Sequence, residues 1–250
     1  MAEVLVSPGV LARENDQTFL EAQPVQAGAA IVGPTVKGPV GIPTLVTTYS
    51  EYQNVFGTTV ESGSGQYTYL TSISAFNYFQ QGGDSLLVTR VVSGSYTAAS
   101  STTIANGDGD NAFTLKTISE GVIANSSGSE GTNNTLANGT SDNVRWEIVN
   151  PNVSTGTFSL LVRRGDDASN DKVILETFAN VSMDPNSSDY IEKVVGNSKR
   201  TVTADGTEYY IKNEGTYLNR SKFVYVDSVS TPTLNYFDNN GDAKTALTSS

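Results

Sequence analysis

The sequence predicts a mixed α+β chain in three parts. Residues 1–24 read as an extended N-terminal arm, 25–93 as a small α/β core portion, and 94–236 as a β-rich outer domain, barrel- or sandwich-like, with one helix. Residues 237–250 read as a linker or a loop cut short. Three observations lead there. Charged residues are scarce, at 16%, and the polar share passes to Ser, Thr, Asn and 23 Gly, which favour turns and strands over solvated helices. The stretch from Thr44 to Val92 reads strand, short helix, long helix, strand. Beyond Ser93 the chain changes to short alternating apolar runs separated by Gly, Asn and Asp, the pattern of antiparallel strands and turns.

The arm has no helical period, and Pro8-Gly9 is a turn signal. A terminus of this kind ordinarily frays. Val4, Leu5, Val6, Val10 and Leu11 are nevertheless poor choices for a solvated tail. As extended segments they suit addition to another sheet's edge, in a neighbouring subunit, where backbone hydrogen bonds supply affinity and alternate side chains the register.

In the core portion, Ala27 to Val32 is a small-residue strand, and Gly33-Pro34, Gly38-Pro39 and Gly41 with Pro43 form a loop of tight turns. Leu45 with Val46 and the run from Leu86 to Val92 are short, apolar and β-branched, as buried strands require. Ser50 is the expected cap of the first helix and Gly57 its stop. The longer helix, Gln66 to Gln81, carries Tyr69, Leu70, Ile73, Phe76 and Phe79 on one face. Its end falls at Gly82-Gly83. Strands joined by a helical crossover are expected to lie parallel, so Leu45, Tyr69, Ile73, Phe76, Leu87 and Val91 are the expected core contacts here.

In the outer domain, strands are expected at Phe113 to Ile118, Val144 to Val149, Phe158 to Arg164, Lys172 to Phe178, Glu208 to Lys212 and Lys222 to Val229. Gly165-Asp166-Asp167 makes a hairpin turn. Trp146, the only tryptophan, is expected to plug the core. A helix starts after Asp184-Pro185, with Ser188 as its cap, and runs through Tyr190, Ile191, Val194 and Val195.

Charge and composition exclude several classes of function. The net charge is −11 and the basic residues form no run, so nucleic acid and anionic membrane surfaces are not expected partners. No apolar run approaches the roughly 20 residues of a membrane span. Met1 to Leu5 lacks the features of a secretion signal, and the absence of cysteine suits a chain made in a cytosol. Without histidine there is no Ser-His-Asp triad and no His-built metal site. No catalytic centre, metal or cofactor is expected. Asn106-Gly107-Asp108-Gly109-Asp110-Asn111 has a calcium loop's alternating oxygens, but the sixth position lacks Gly and the twelfth, Thr117, lacks Glu; it reads as a hairpin turn. Arg164-Gly165-Asp166 matches an adhesion tripeptide and reads as a turn between strands.

Several motifs then occur in a telling order. These are Ser7-Pro8-Gly9-Val10, Gly33-Pro34 with Gly38-Pro39, Tyr52-Gln53-Asn54-Val55-Phe56-Gly57, Phe76-Asn77-Tyr78-Phe79 with Gly82-Gly83, and Leu87-Val88-Thr89-Arg90-Val91-Val92. Trp146-Glu147-Ile148, Phe158 to Val162, Phe178 to Pro185 and Tyr190-Ile191-Glu192 follow. In order and spacing they resemble the tail sheath proteins of contractile-tailed bacteriophages (myovirus type), over the N-terminal and outer-domain portions. The resemblance implies a structural virion protein and not an enzyme. Such subunits stack as hexameric rings of identical copies around a tail tube, above a baseplate, linked by arms that add strands to neighbouring sheets. The tail then contracts during genome delivery. It also implies assembly in the host cytoplasm, with residues 1–24 as the arm. Family members continue into a C-terminal domain that completes the core sheet, so the chain is expected to be a fragment of a longer sheath protein or a shortened collar or baseplate relative.

A competing reading, a glycan-binding virion decoration domain, requires exposed aromatics clustered near carboxylates, with Tyr209, Tyr210, Tyr217 and Tyr225 as candidates. An acidic-pair glycosidase is a third.

Overall fold

The computed structural model describes residues 28–62, 65–94, 96–101, 104–105, 111–125, 129–152 and 155–230. The fold is α+β: small sheets with few helices, and no sheet closes into a barrel among the described residues.

The first region contains β1 (Ala29–Gly33), β2 (Thr44–Val46), α1 (Tyr49–Phe56), the hairpin β3 (Thr59–Ser62) and β4 (Gly65–Thr68), α2 (Leu70–Gln80), and β5 (Leu86–Arg90). Its sheet has the order β1-β5-β2. β5 runs parallel to β1 but antiparallel to β2, which corrects the expected parallel pairing of the second and last of these strands. Apolar composition does not encode strand direction. The loop between β1 and β2 does, and it turns through Gly38 (φ 108°) and Gly41 (φ 71°), conformations that a Cβ makes costly. The helical crossover therefore closes on β1.

Two helix starts also differ from expectation. α1 is capped by Thr48, not Ser50: its Oγ1 accepts the Glu51 amide at 3.1 Å, while the Glu51 carboxylate accepts the Thr47 amide at 2.8 Å, a reciprocal arrangement close to a capping box. Gly57, at φ 70°, ends the helix as expected. α2 starts at Leu70 because Gln66 is taken by β4. It packs on the sheet through its small face, Thr71, Ser72 and Ala75, all buried. The approach is close enough that a Cβ on Gly33 would lie 2.6 Å from the Thr71 hydroxyl. Val46, Tyr52, Phe56, Ala75, Leu86 and Val88 form this core, and the Tyr52 and Ser72 hydroxyls share a buried hydrogen bond of 3.0 Å.

The second region has two antiparallel sheets around one core. β14 (Val224–Val229) pairs β8 (Asn111–Glu120), which also pairs β6 (Ala98–Ser100) and β7 (Ile104–Ala105). β10 (Thr157–Arg164) lies between β9 (Val144–Asn152) and β11 (Ile174–Ser182). Phe113 and Leu115 from the first sheet meet Phe158, Leu160 and Val162 from the second. The Phe113 and Phe158 rings stack at 5.9 Å. The arrangement is sandwich-like. α3 (Ile191–Val194) is a single turn that adds Ile191 to the core. The longer helix expected here is absent: the Asp184 carboxylate accepts the Asn186 amide and the Ser187 hydroxyl accepts the Asp189 amide, so local side-chain bonds hold a turn instead. A two-stranded ribbon, β12 (Lys199–Asp205) with β13 (Glu208–Glu214), stands apart from both sheets.

The two regions meet along residues 37–41. Arg90, buried at the end of β5, donates to the carbonyls of Gly38 (2.7 Å) and Glu120 (2.5 Å). The Gly38 amide donates to the Ser119 hydroxyl, and Val40 to the Glu120 carboxylate. Lys37 pairs with Asp142 at 3.1 Å. Burial pulls the Arg90 guanidinium below its ordinary value, and the nearby Glu120 charge partly offsets this.

Candidate assembly surface

The β1-β5-β2 sheet has helices on one face only. Along β5, Leu86, Val88 and Arg90 are buried, whereas Leu87 and Thr89 are half-buried. Register places Ala30, Leu87 and Leu45 side by side across the three strands, on the face opposite the helices. Val32 on the same side is 69% exposed. A sheet with parallel pairing is ordinarily covered on both faces. β1 is also an edge strand, paired only with β5 among the described residues, so its outer backbone groups are available for pairing.

The helix layer is open as well. Leu70 is 79% exposed, Ile73 44% and Phe76 41%, three apolar side chains on successive turns of α2. Tyr67 and Tyr69 are exposed just before them. The Phe76 ring meets Tyr49 edge-on, at 5.1 Å between centroids. Contiguous apolar surface of this kind marks a contact with another polypeptide or another part of the same one.

These positions correct the expected core. Tyr69, Ile73, Phe76 and Val91 are exposed, not packed inside. Leu45 and Leu87 are half-buried and sit outside the core cluster. The sequence pattern points to the large apolar residues of the helix, but the side it turns to the sheet is the small one, where close approach is possible. Trp146 is half-buried and packs against the outer core from its margin; Phe113 on Phe158 fills the centre. Tyr52 and Phe56, at i and i+4 on α1, are the buried anchors that periodicity could have identified. Val4, Leu5, Val6, Val10 and Leu11 lie outside the described residues, as do residues 106–110 of the hairpin turn.

Away from this surface, charged side chains of the outer domain pair with one another. In the outer domain Arg163 holds Asp167 with two hydrogen bonds, 2.7 and 2.9 Å, and both side chains are buried. Glu147 bridges Arg163 and Lys172. Burial pushes the Glu147 carboxyl up, but the Lys172 and Arg163 contacts outweigh it and hold the group below its ordinary value. Burial, with Glu192 nearby, pushes the Tyr190 phenol up to about 12. In the Arg164-Gly165-Asp166 tripeptide the guanidinium closes on Asp166 of the same turn, so the two charges are paired with each other. A cleft of about 350 Å³ between Asn54, Val55, Ser119, Asp142 and Phe223 is crossed by the Lys37–Asp142 pair. Among the described residues no group of three or more Asp and Glu is placed to hold a metal ion.

The four tyrosines of the glycan-binding reading do not converge. Tyr209 and Tyr210 are exposed but adjacent on β13, so they point to opposite faces. Tyr217 is half-buried near Lys193, and Tyr225 is only 6% exposed.

No protein-family model matches the chain, and no curated protein matches it. Among solved structures, the chain is similar to a sheath tail protein from Desulfitobacterium hafniense, at 11% identity and a TM-score of 0.31, over 82% of this chain and 36% of that one. It is also similar to a sheath tail protein from Listeria innocua, at 9% identity and a TM-score of 0.33, over 82% of this chain and 34% of that one. The chain thus spans about a third of the length of each.

Proposed function

We propose that this chain is a structural subunit of a contractile phage tail sheath, not an enzyme, and that it polymerises with copies of itself around a tail tube. The observation that carries the reading is the half-covered α/β core. Its sheet is open on one face and at the β1 edge, and α2 turns Leu70, Ile73 and Phe76 outward. A chain that left such surfaces permanently in water would aggregate; a subunit that buries them in an assembly would not. The ordered series of sequence motifs shared with tail sheath proteins supports the same reading.

In this proposal Val4, Leu5, Val6, Val10 and Leu11 add a strand to a neighbour's sheet. Backbone pairing tolerates rotation of the bodies it links, so subunits move nearly rigidly while the mesh stays joined. Several weak links per copy hold the lattice through their high effective concentration. The proposed setting is the virion tail, after assembly in the host cytoplasm, with tail tube and baseplate proteins as the other partners.

The test is electron microscopy of the purified chain, alone and with tail tubes. Sixfold rings or tubes are the expected result. Isolated rings that never stack point to a collar or baseplate role, and a monomer at every concentration overturns the proposal.

A further inference from the structure

The lysines and arginines of the described residues divide sharply. Lys37, Lys116, Arg145, Arg163, Arg164, Lys172 and Lys212 each pair with a carboxylate. Arg90 and Lys193 are taken up by backbone carbonyls. The rest, Lys199, Arg200, Arg220 and Lys222, make no ion pair among the described residues, and they lie in two segments that meet at the base of the ribbon, Lys199 and Arg200 turning to its opposite faces. Lys199 and Arg200 begin β12, and Arg220 and Lys222 lie in the segment leading into β14.

The two segments are tied together. The Ser198 amide donates to Asn219 Oδ1 at 2.9 Å, and Asn219 Nδ2 donates to the Ser198 carbonyl at 2.6 Å. A Cβ on Gly196 would lie 2.3 Å from the Asn219 Cα, so this junction is tightly packed. The nearby carboxylates are already engaged: Glu176 accepts from the Ser221 hydroxyl and the Lys222 amide, and Asp142, which lines one cleft with Lys222, pairs with Lys37. Glu214, across from Lys199, is already closed on Lys212. The base of the ribbon therefore carries a surplus of positive charge, in a chain whose net charge is −11.

The other end of the ribbon is the reverse. Asp205 and Glu208 face each other across the turn at its tip, both exposed and neither ion-paired among the described residues. Each strand is seven residues long, which separates tip from base by about 20 Å. The ribbon belongs to neither sheet; Val202 turns toward Gly41 of the loop between β1 and β2, where a Cβ on Gly41 would lie 3.0 Å from it, and Tyr209 and Ile211 are exposed. A lone two-stranded ribbon is marginal in water.

We propose that the ribbon is a head-to-tail connector: the Asp205/Glu208 tip of one copy docks on the Lys199/Arg200/Arg220/Lys222 base of the next. The inference rests on the self-assembly reading above and names a contact within it. Acidic copies repel one another, and a contact that matches an acidic tip to a cationic base offsets the repulsion where they touch. The contact is heterologous, joining unlike surfaces, so it propagates as a ring or an open helix instead of closing as a dimer.

A charge-swap series on the full chain tests it, with self-association followed by sedimentation at about 0.05 and 0.5 M salt. All the altered side chains are exposed, and circular dichroism checks that each variant folds. Arg200→Glu with Arg220→Glu and Lys222→Glu, and separately Asp205→Lys with Glu208→Lys, are each expected to weaken association about tenfold or more at low salt. The two sets combined in one chain are expected to recover most of the loss, because the tip is then cationic and acidic side chains outnumber Lys199 at the base. In mixed light- and heavy-nitrogen samples, a zero-length carbodiimide cross-link is expected to join tip and base peptides of different copies. Assembly that is indifferent to either swap, or losses that merely add in the combined variant, overturn the connector while leaving the sheath reading standing. A wild-type chain that never associates overturns both.

Discussion

Asp167 shows how much a single side chain can hold in this protein. Its carboxylate is fully buried and accepts from Arg163 twice and from the Val173 amide at 3.1 Å. It thereby fixes both ends of the connection between β10 and β11. Removing it leaves the buried Arg163 guanidinium with Glu147 as its remaining carboxylate partner and takes three hydrogen bonds from the turn. Asp167→Ala is expected to lower the unfolding free energy by about 2–4 kcal/mol, measured by urea denaturation. Asp166, next to it in the same turn, is half-exposed and pairs only with Arg164, so Asp166→Ala is the matched control, expected to change stability by about 1 kcal/mol or less. In sequence the two adjacent aspartates look interchangeable. Their difference comes from which side of the turn each one faces, and composition carries no sign of that.

At the scale of elements, α2 is the informative case. The sequence pattern correctly indicates a helix ending near Gly82, and Gly82 does adopt φ 87°. The apolar stripe is real, but the helix buries Thr71, Ser72 and Ala75 instead. Amphipathic reasoning assumes that the larger apolar face meets the chain's own core. That assumption fails where close approach of helix and sheet calls for small side chains between them. Replacing Leu70, Ile73 and Phe76 together by Ser is therefore expected to shift monomer stability by about 1 kcal/mol or less, read by thermal unfolding. The same variant is expected to lose assembly in sedimentation. A loss of several kcal/mol in the isolated chain would show that these side chains already serve its own core. Strands were easier to read: β9, β10 and β14 fall close to their expected places, because their apolar and polar residues alternate between turn residues. β12, β3 and β4 carry few large apolar residues and give little such signal.

At the scale of the whole molecule, two packed regions are joined by residues 37–41 and by Arg90, whose guanidinium reaches carbonyls on both sides. Each region has its own hydrophobic cluster, and the junction is largely polar. The outer sandwich encloses its core between two sheets, whereas the α/β region exposes apolar surface on both of its layers. Deleting Met1 to Leu11 is accordingly expected to leave the circular dichroism spectrum and thermal unfolding of the monomer unchanged while abolishing polymers in electron micrographs. Tubes of normal length from the truncated chain would remove the role proposed for the arm.

The sequence by itself determined the α+β class, most of the outer strands, the end of each main helix and the absence of histidine and cysteine chemistry, since these follow from local pattern and residue composition. Only the tertiary structure decided strand direction in the first sheet, which face of α2 is buried, and which cations make no ion pair among the described residues. Those outcomes depend on residues distant in the chain meeting in space: Gly33 against Thr71, Ser198 against Asn219, Arg90 between Gly38 and Glu120. A local pattern states which surfaces need covering, and only the packed chain shows which ones its own residues cover.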